Sequence, residues 1–110
     1  MRPMVFLCSP YAANKLHTVS DHVVYARRAM SDSLSRGEAP FASHLLYPQI
    51  LDDSDPSSHI LGIDASQVFL LAAVRLVVYA DLGVSSGMEK EIEIARTWEC
   101  PVVFRHLDLQ

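Results

Sequence analysis

The stretch from Asp81 to Arg96, "DLGVSSGMEKEIEIAR", places three carboxylates, Glu89, Glu91 and Glu93, behind a turn of small residues. A carboxylate held beside an electron-poor carbon can attack it or stabilise a developing cation there. Which of the three is aimed at anything depends on the helix they share. At about 100° per residue, a helix over Ser86–Trp98 gathers Met88, Ile92, Ile94, Ala95 and Trp98 on one apolar face, and Glu91 falls inside that face. Glu89 and Glu93 fall on the opposite side, and Glu89 stands three residues after Ser86, where a capping-box partner would sit. A lone carboxylate on a buried face is costly. Glu91 is therefore either paired with a buried cation or placed in a cleft where its desolvation serves chemistry.

The surroundings favour the cleft. Ser85, Ser86 and Gly87 feed a helix N-terminus, where unpaired amides and the positive end of the helix dipole suit an anion. In an open α/β sheet, ligands collect beyond the carboxyl ends of the strands. Two segments are expected there: Ser9, Pro10 and Tyr11 after the first strand, and Asp81 to Gly87 after the third. His44 and the acids Asp52, Asp53 and Asp55 either line the other wall of the cleft or simply end a strand and solvate a loop.

The elements that must carry these residues follow from pattern. "MVFLCS", Met4–Ser9, is a continuous apolar run stopped by Pro10, as in a strand buried on both faces. Val19, Val23, Ala26, Met30 and Leu34 recur at helical spacing between Thr18 and Arg36, with Gly37 as the stop. "ASHLLYP", Ala42–Pro48, reads as a short second strand, followed by a turn-rich loop. Asp64 is expected to cap a helix over Ala65–Ala73 that is apolar almost all round and must be covered on both sides. "RLVVYA", Arg75–Ala80, is a third strand, and a fourth begins at Pro101 after the glutamate helix. Strands alternating with helices imply one small doubly wound α/β sandwich, a parallel sheet of about four strands with helices on both faces, spanning residues 1–110 as a single domain.

Composition narrows the function. A net charge of −4 with scattered Lys and Arg does not make the basic groove that tracks long nucleic acid. The longest apolar run, Val68–Val74, is far short of a bilayer span, and no secretory leader is apparent, so a soluble, cytoplasmic protein is expected. Cys8 and Cys100 lack the spacing of a zinc site or a disulfide scaffold and read as reduced and packed. The five histidines carry no metal-helix spacing, so neither a metal nor another cofactor is indicated.

Taken together, "FLCSPY", "VVYADLGVSSGMEKEIEIA" and "CPVVF" resemble the nucleoside 2-deoxyribosyltransferase-like superfamily, and within it the small, often phage-encoded members and the deoxynucleoside 5′-monophosphate N-glycosidases. The distinctive part is Ser85-x-Gly87-x-x-x-Glu91-x-x-x-Ala95 after a hydrophobic strand. The resemblance implies that Glu91 is the nucleophile that attacks the anomeric carbon. It also implies that Ser9, Ser85 and Gly87 hold a 5′-phosphate and that Tyr11 lies near the sugar or base. Its members are commonly dimers or larger, which agrees with an apolar helix that one sheet cannot cover alone. The chain departs from the family at Ser85, where transferases carry an aspartate, and at Gln67, near which many members carry an acid. "SPYAANK" replaces the glycine-rich turn of the monophosphate hydrolases. The expected ligand is a nucleotide or nucleoside. The expected function is an N-glycosidase that cleaves the base–sugar bond of a (deoxy)nucleoside 5′-monophosphate or related nucleotide, Ser85 favouring hydrolysis, with base exchange, cleavage of NAD and noncatalytic nucleotide binding as alternatives.

Overall fold

The computed structural model describes residues 1–52 and 54–108. In chain order the elements are β1 (Met4–Cys8), α1 (Val19–Ser35), β2 (Ala39–Phe41), two short 3-10 turns (Ser43–Leu45 and Tyr47–Gln49), α2 (Pro56–Ala72), β3 (Arg75–Tyr79), α3 (Ser86–Thr97) and β4 (Val102–Arg105). The four strands form one parallel sheet in the order β2-β1-β3-β4, with Met4 opposite Ala39, Val5 opposite Arg75 and Leu76 opposite Val102. This is the doubly wound α/β arrangement expected from the alternation of elements.

Strand alternation sorts the core into two layers. Val5, Leu7, Val77 and Tyr79 pack with Tyr25 and Ala29 of α1. Phe6, Cys8, Leu76 and Val78 point the other way and pack with Leu70 of α2 and with Met88, Ile92 and Ala95 of α3. α1 therefore covers one face, and α2 and α3 share the other. The α1 layer is completed by ions as well as hydrocarbon. Buried Glu38, just before β2, accepts bonds from Arg75 Nη1 at 2.8 Å, Arg105 Nη1 and Nη2 at 2.7 Å, and Ser33 Oγ at 2.8 Å. Its carboxyl is held down at about 2, chiefly by the Arg105 hydrogen bond, against the opposing effect of burial.

Three expectations about elements need correction. β2 is Ala39–Phe41, and the predicted strand Ala42–Pro48 is instead folded into the two 3-10 turns, with Pro48 inside the second. α2 starts at Pro56, nine residues before the expected Ala65, because Asp55 caps it through Ser57 N (3.1 Å) and Pro56 occupies the first turn, where its missing N–H costs nothing. Asp64 lies within the helix. Finally, α2 is only partly covered: Leu70 is buried, but Ile60, Leu61, Val68 and Leu71 are exposed, Val68 by 67%.

Candidate functional site

β1 and β3 are neighbours, yet the chain leaves β1 for α1 on one face and leaves β3 for α3 on the other, so the two connections diverge beyond their carboxyl ends. A cleft of about 800 Å³ opens there. One wall is Ser9 and Tyr11 after β1, the second is Ser85–Gly87 and Glu91 of α3, and the third is His44, Tyr47 and the α2 residues Gly62, Ile63, Ser66 and Gln67.

The N-cap of α3 is Ser85, one residue before the position expected from spacing. Ser85 Oγ accepts from Met88 N at 3.3 Å, and Ser85 N donates to Met88 Sδ at 3.4 Å. Glu89 N bonds Ser85 O as the first helical hydrogen bond, so Glu89 is not a capping partner. Glu91 comes out one turn further, in the cleft. Among the described residues no Lys, Arg or His forms an ion pair with it. Burial raises its carboxyl from 4.5 to about 7, and a hydrogen bond from Cys8 opposes the rise. The cation-paired alternative is thus not the one realised. Glu89 is solvent-exposed, whereas Glu93, also exposed, reaches the rim of the cleft and so does not lie wholly on the far side. Trp98, expected on the packed face, is the C-cap residue and turns outward.

The opposite wall is built on hydrogen bonds. Ser9, nearly buried, shares a 2.7 Å hydrogen bond between its Oγ and His44 Nε2. The His44 ring meets the Tyr11 ring edge-on at 6.5 Å, and burial, with a smaller contribution from His22, lowers its pKa to about 4, so it is neutral at neutral pH. His22, fully buried, donates Nδ1–H to the Tyr11 carbonyl at 3.1 Å, since that acceptor requires the proton on Nδ1. The loop bearing Tyr11 is therefore pinned on both sides. His44 reaches the site from a 3-10 turn rather than from the end of a strand.

The structure thus brings together Glu91, Ser9, Tyr11, Ser85, Ser86, Gly87 and His44. It leaves two of the expected residues out. Pro10 is buried beneath the loop, outside the cleft lining. Asp81 is turned inward: its carboxylate accepts from Tyr25 OH at 2.5 Å and from Leu107 N at 2.8 and 3.0 Å, fastening α1 and the segment after β4 to the end of β3. Asp52 and Asp55 are exposed, Asp55 capping the start of α2 and Asp52 holding Ser54 in the turn before it, and Asp53 lies outside the described residues. Cys8 was not singled out as a site residue, yet strand alternation sends it to the α3 side, where its thiol meets the Met88 carbonyl one turn before Glu91. Among the described residues, no three of His, Cys, Asp and Glu converge as metal ligands would. No helix among them is long and apolar enough to cross a membrane.

The sheet order, the two helical layers and the cleft at the strand ends define a doubly wound α/β fold, and it is the fold of a known 2-deoxyribosyltransferase. A solved structure of the 2-deoxyribosyltransferase from the psychrotolerant bacterium Bacillus psychrosaccharolyticus matches it with a TM-score of 0.73 and 12% identity, over 94% of this chain and 72% of that one. Residues 3–105 match the family described as "Domain of unknown function (DUF7768)", and the chain belongs to it. No curated protein matches by sequence.

Proposed function

We propose that this protein is an N-glycosidase that cleaves the base–sugar bond of a (deoxy)nucleoside 5′-monophosphate or related nucleotide in the cytoplasm, with Glu91 as nucleophile. The observation that carries the proposal is Glu91 itself, a carboxylate in the cleft beyond the β1 and β3 ends that no cation among the described residues pairs with, and whose pKa burial raises to about 7. A helix-packing residue has no reason to bear that cost, whereas a nucleophile gains basicity from it. Ionised Glu91 attacks the anomeric carbon as the C–N bond breaks and its electron pair leaves with the base. Water then attacks the glycosyl ester, releasing the sugar, and returns Glu91 as carboxylate with one proton lost to solvent.

The first-turn amides of α3 at Ser86 and Gly87, with the Ser85 hydroxyl, would take the 5′-phosphate, and Lys90 on the same rim adds positive charge. Tyr11, held by His22 through its backbone, would contact sugar or base, and Ser9 with His44 would line the same wall. The fold's likeness to a 2-deoxyribosyltransferase favours base exchange as a second outcome of the same chemistry. Incubation with nucleosides, 5′-monophosphates and NAD, with and without a second free base, tests all of this. Free base is the expected product, exchanged nucleoside would establish transfer, and no product from any substrate would overturn the proposal.

We also propose a homodimer through the exposed side of α2, where Ile60, Leu61, Val68 and Leu71 lie uncovered. Light scattering should give twice the 12.2 kDa chain mass, reduced to the monomer by Val68→Glu. A monomer in the unmodified protein at micromolar concentration would refute it.

A further inference from the structure

The thiol that the sheet turns toward the helix carrying Glu91 is that of Cys8. It is the last residue of β1, fully buried, and on the same side as Phe6, facing α3. Its thiol donates to the carbonyl oxygen of Met88 at 3.9 Å, one helical turn before Glu91, and the Glu91 carboxylate lies close enough to be its second acceptor. We propose that Cys8 is a positioning residue for Glu91, an inference that rests on reading Glu91 as the nucleophile: its single S–H holds one carboxylate oxygen so that the other faces the cleft.

A thiol has one proton to give and here has two acceptors. While Glu91 is charged it is the stronger acceptor, so the proton points to it. Once the carboxylate has become a glycosyl ester it has lost that charge, and the Met88 carbonyl can take the same proton. Cys8 therefore need not leave an unpaired donor at either stage. It also remains a donor, because burial and the neighbouring carboxylate push the thiol well above its ordinary range. A cation in its place would orient Glu91 more firmly but would draw off the basicity a nucleophile needs. The weakness of the S–H bond is thus suited to the task.

The test uses Cys8→Ala and Cys8→Ser, reading the pH profile of kcat/KM for base release and, in parallel, the titration of the Glu91 carboxyl by ¹³C NMR, assigned by comparison with Glu91→Gln. The other titratable groups lining the cleft are Tyr11, His44, Tyr47 and His59 from the facing elements and Lys90 and Glu93 on α3. These are the same in every variant, so a change in the Glu91 midpoint reports the change at Cys8. In Cys8→Ala the acid limb and the NMR midpoint should both rise by about half to one pH unit, which lowers base release at about pH 6 by roughly three- to tenfold and narrows the loss at higher pH. Cys8→Ser, which restores a donor, should bring the midpoint back. If Cys8 only fills space, alanine leaves the midpoint where it was, and that result overturns the proposal. Should the serine variant fail to fold, the alanine midpoint decides alone. If the unmodified protein releases no base from any substrate, the glycosidase reading fails while the NMR midpoint still decides whether Cys8 holds Glu91.

Discussion

Replacing Glu91 by glutamine removes the charge and keeps the shape, so it separates two consequences of the same half-buried carboxylate. The first is thermodynamic. The folded protein binds the Glu91 proton more tightly than the unfolded chain, with a pKa of about 7 against an ordinary 4.5. Because the shift is upward for an acid, it disfavours folding once the group ionises: stability from this group falls as pH rises between 4.5 and about 7 and stays low above. The interval corresponds to about 3 kcal/mol as an upper figure. Glu91→Gln should therefore be more stable than the unmodified protein by up to about 3 kcal/mol at pH 8, roughly 10 °C in Tm for a domain of this size, with the difference vanishing near pH 4. Urea unfolding or calorimetry across that pH range measures it. The second consequence is chemical: base release should drop by more than about a thousandfold, whereas Glu89→Gln, on the exposed side, should cost far less. A Glu91→Gln protein that is less stable at pH 8 would mean that the carboxylate is ionised and held by a partner, and the argument from burial would fail. Equal loss of activity in both variants, with unchanged circular dichroism, would refute the assignment of Glu91 alone.

Three further outcomes are expected. Ser85→Asp keeps a capping oxygen on α3 but sets a negative charge at the phosphate position, so titration calorimetry should find the preference for a 5′-monophosphate over its nucleoside reversed; equal affinities in the unmodified protein would remove the phosphate from the proposal. Glu38→Gln leaves the Arg75 and Arg105 guanidinium groups facing a neutral amide and should cost about 3–5 kcal/mol in urea unfolding at pH 7. Since the Glu38 pKa is depressed, to about 2, its contribution is complete above 4.5 and lost as pH falls through about 2, so the gap between the two proteins should close in acid. Tyr25→Phe removes the hydroxyl that bonds Asp81 and should lower stability by about 1 kcal/mol without altering substrate preference, because that contact lies outside the cleft.

The parallel sheet was readable because β1 and β3 are short runs of almost unbroken hydrophobicity, which only a strand covered on both faces requires. Glu91 was readable because a charge among Met88, Ile92 and Ala95 breaks a helical pattern that is otherwise kept. What escaped was set by contacts distant in sequence. The segment Ala42–Pro48 has strand-like composition, but Ala39–Phe41 had already taken the place beside β1, and the residues after it turn away to bring His44 to Ser9. The start of α2 was hidden by reading the whole segment after Pro48 as a turn-rich loop, when Pro56 serves as the first residue of a helix capped by Asp55. Asp81 looked like a ligand residue from its place at a strand end, and only the folded chain brings Tyr25 and Leu107 to it. Cys8 could have been found from alternation alone, since every second residue of β1 faces the helix that carries Glu91.

The ionic layer beneath α1 has a consequence for how this family can vary. Glu38, Arg75 and Arg105 come from three separate segments of the chain, and the two arginines meet on one carboxylate. Loss of any one of them strands charge in a poorly hydrated place, so no single substitution toward hydrocarbon is neutral, although replacing the whole set at once can be. The three positions should be inherited together: relatives that lack the acid at 38 should also lack the base at 105, with apolar side chains in both places, and mixed combinations should be rare. A rare intermediate would need its stability supplied from elsewhere in the sheet. Among aligned relatives, correlated change at 38 and 105 would mark this layer even where neither position is strictly kept.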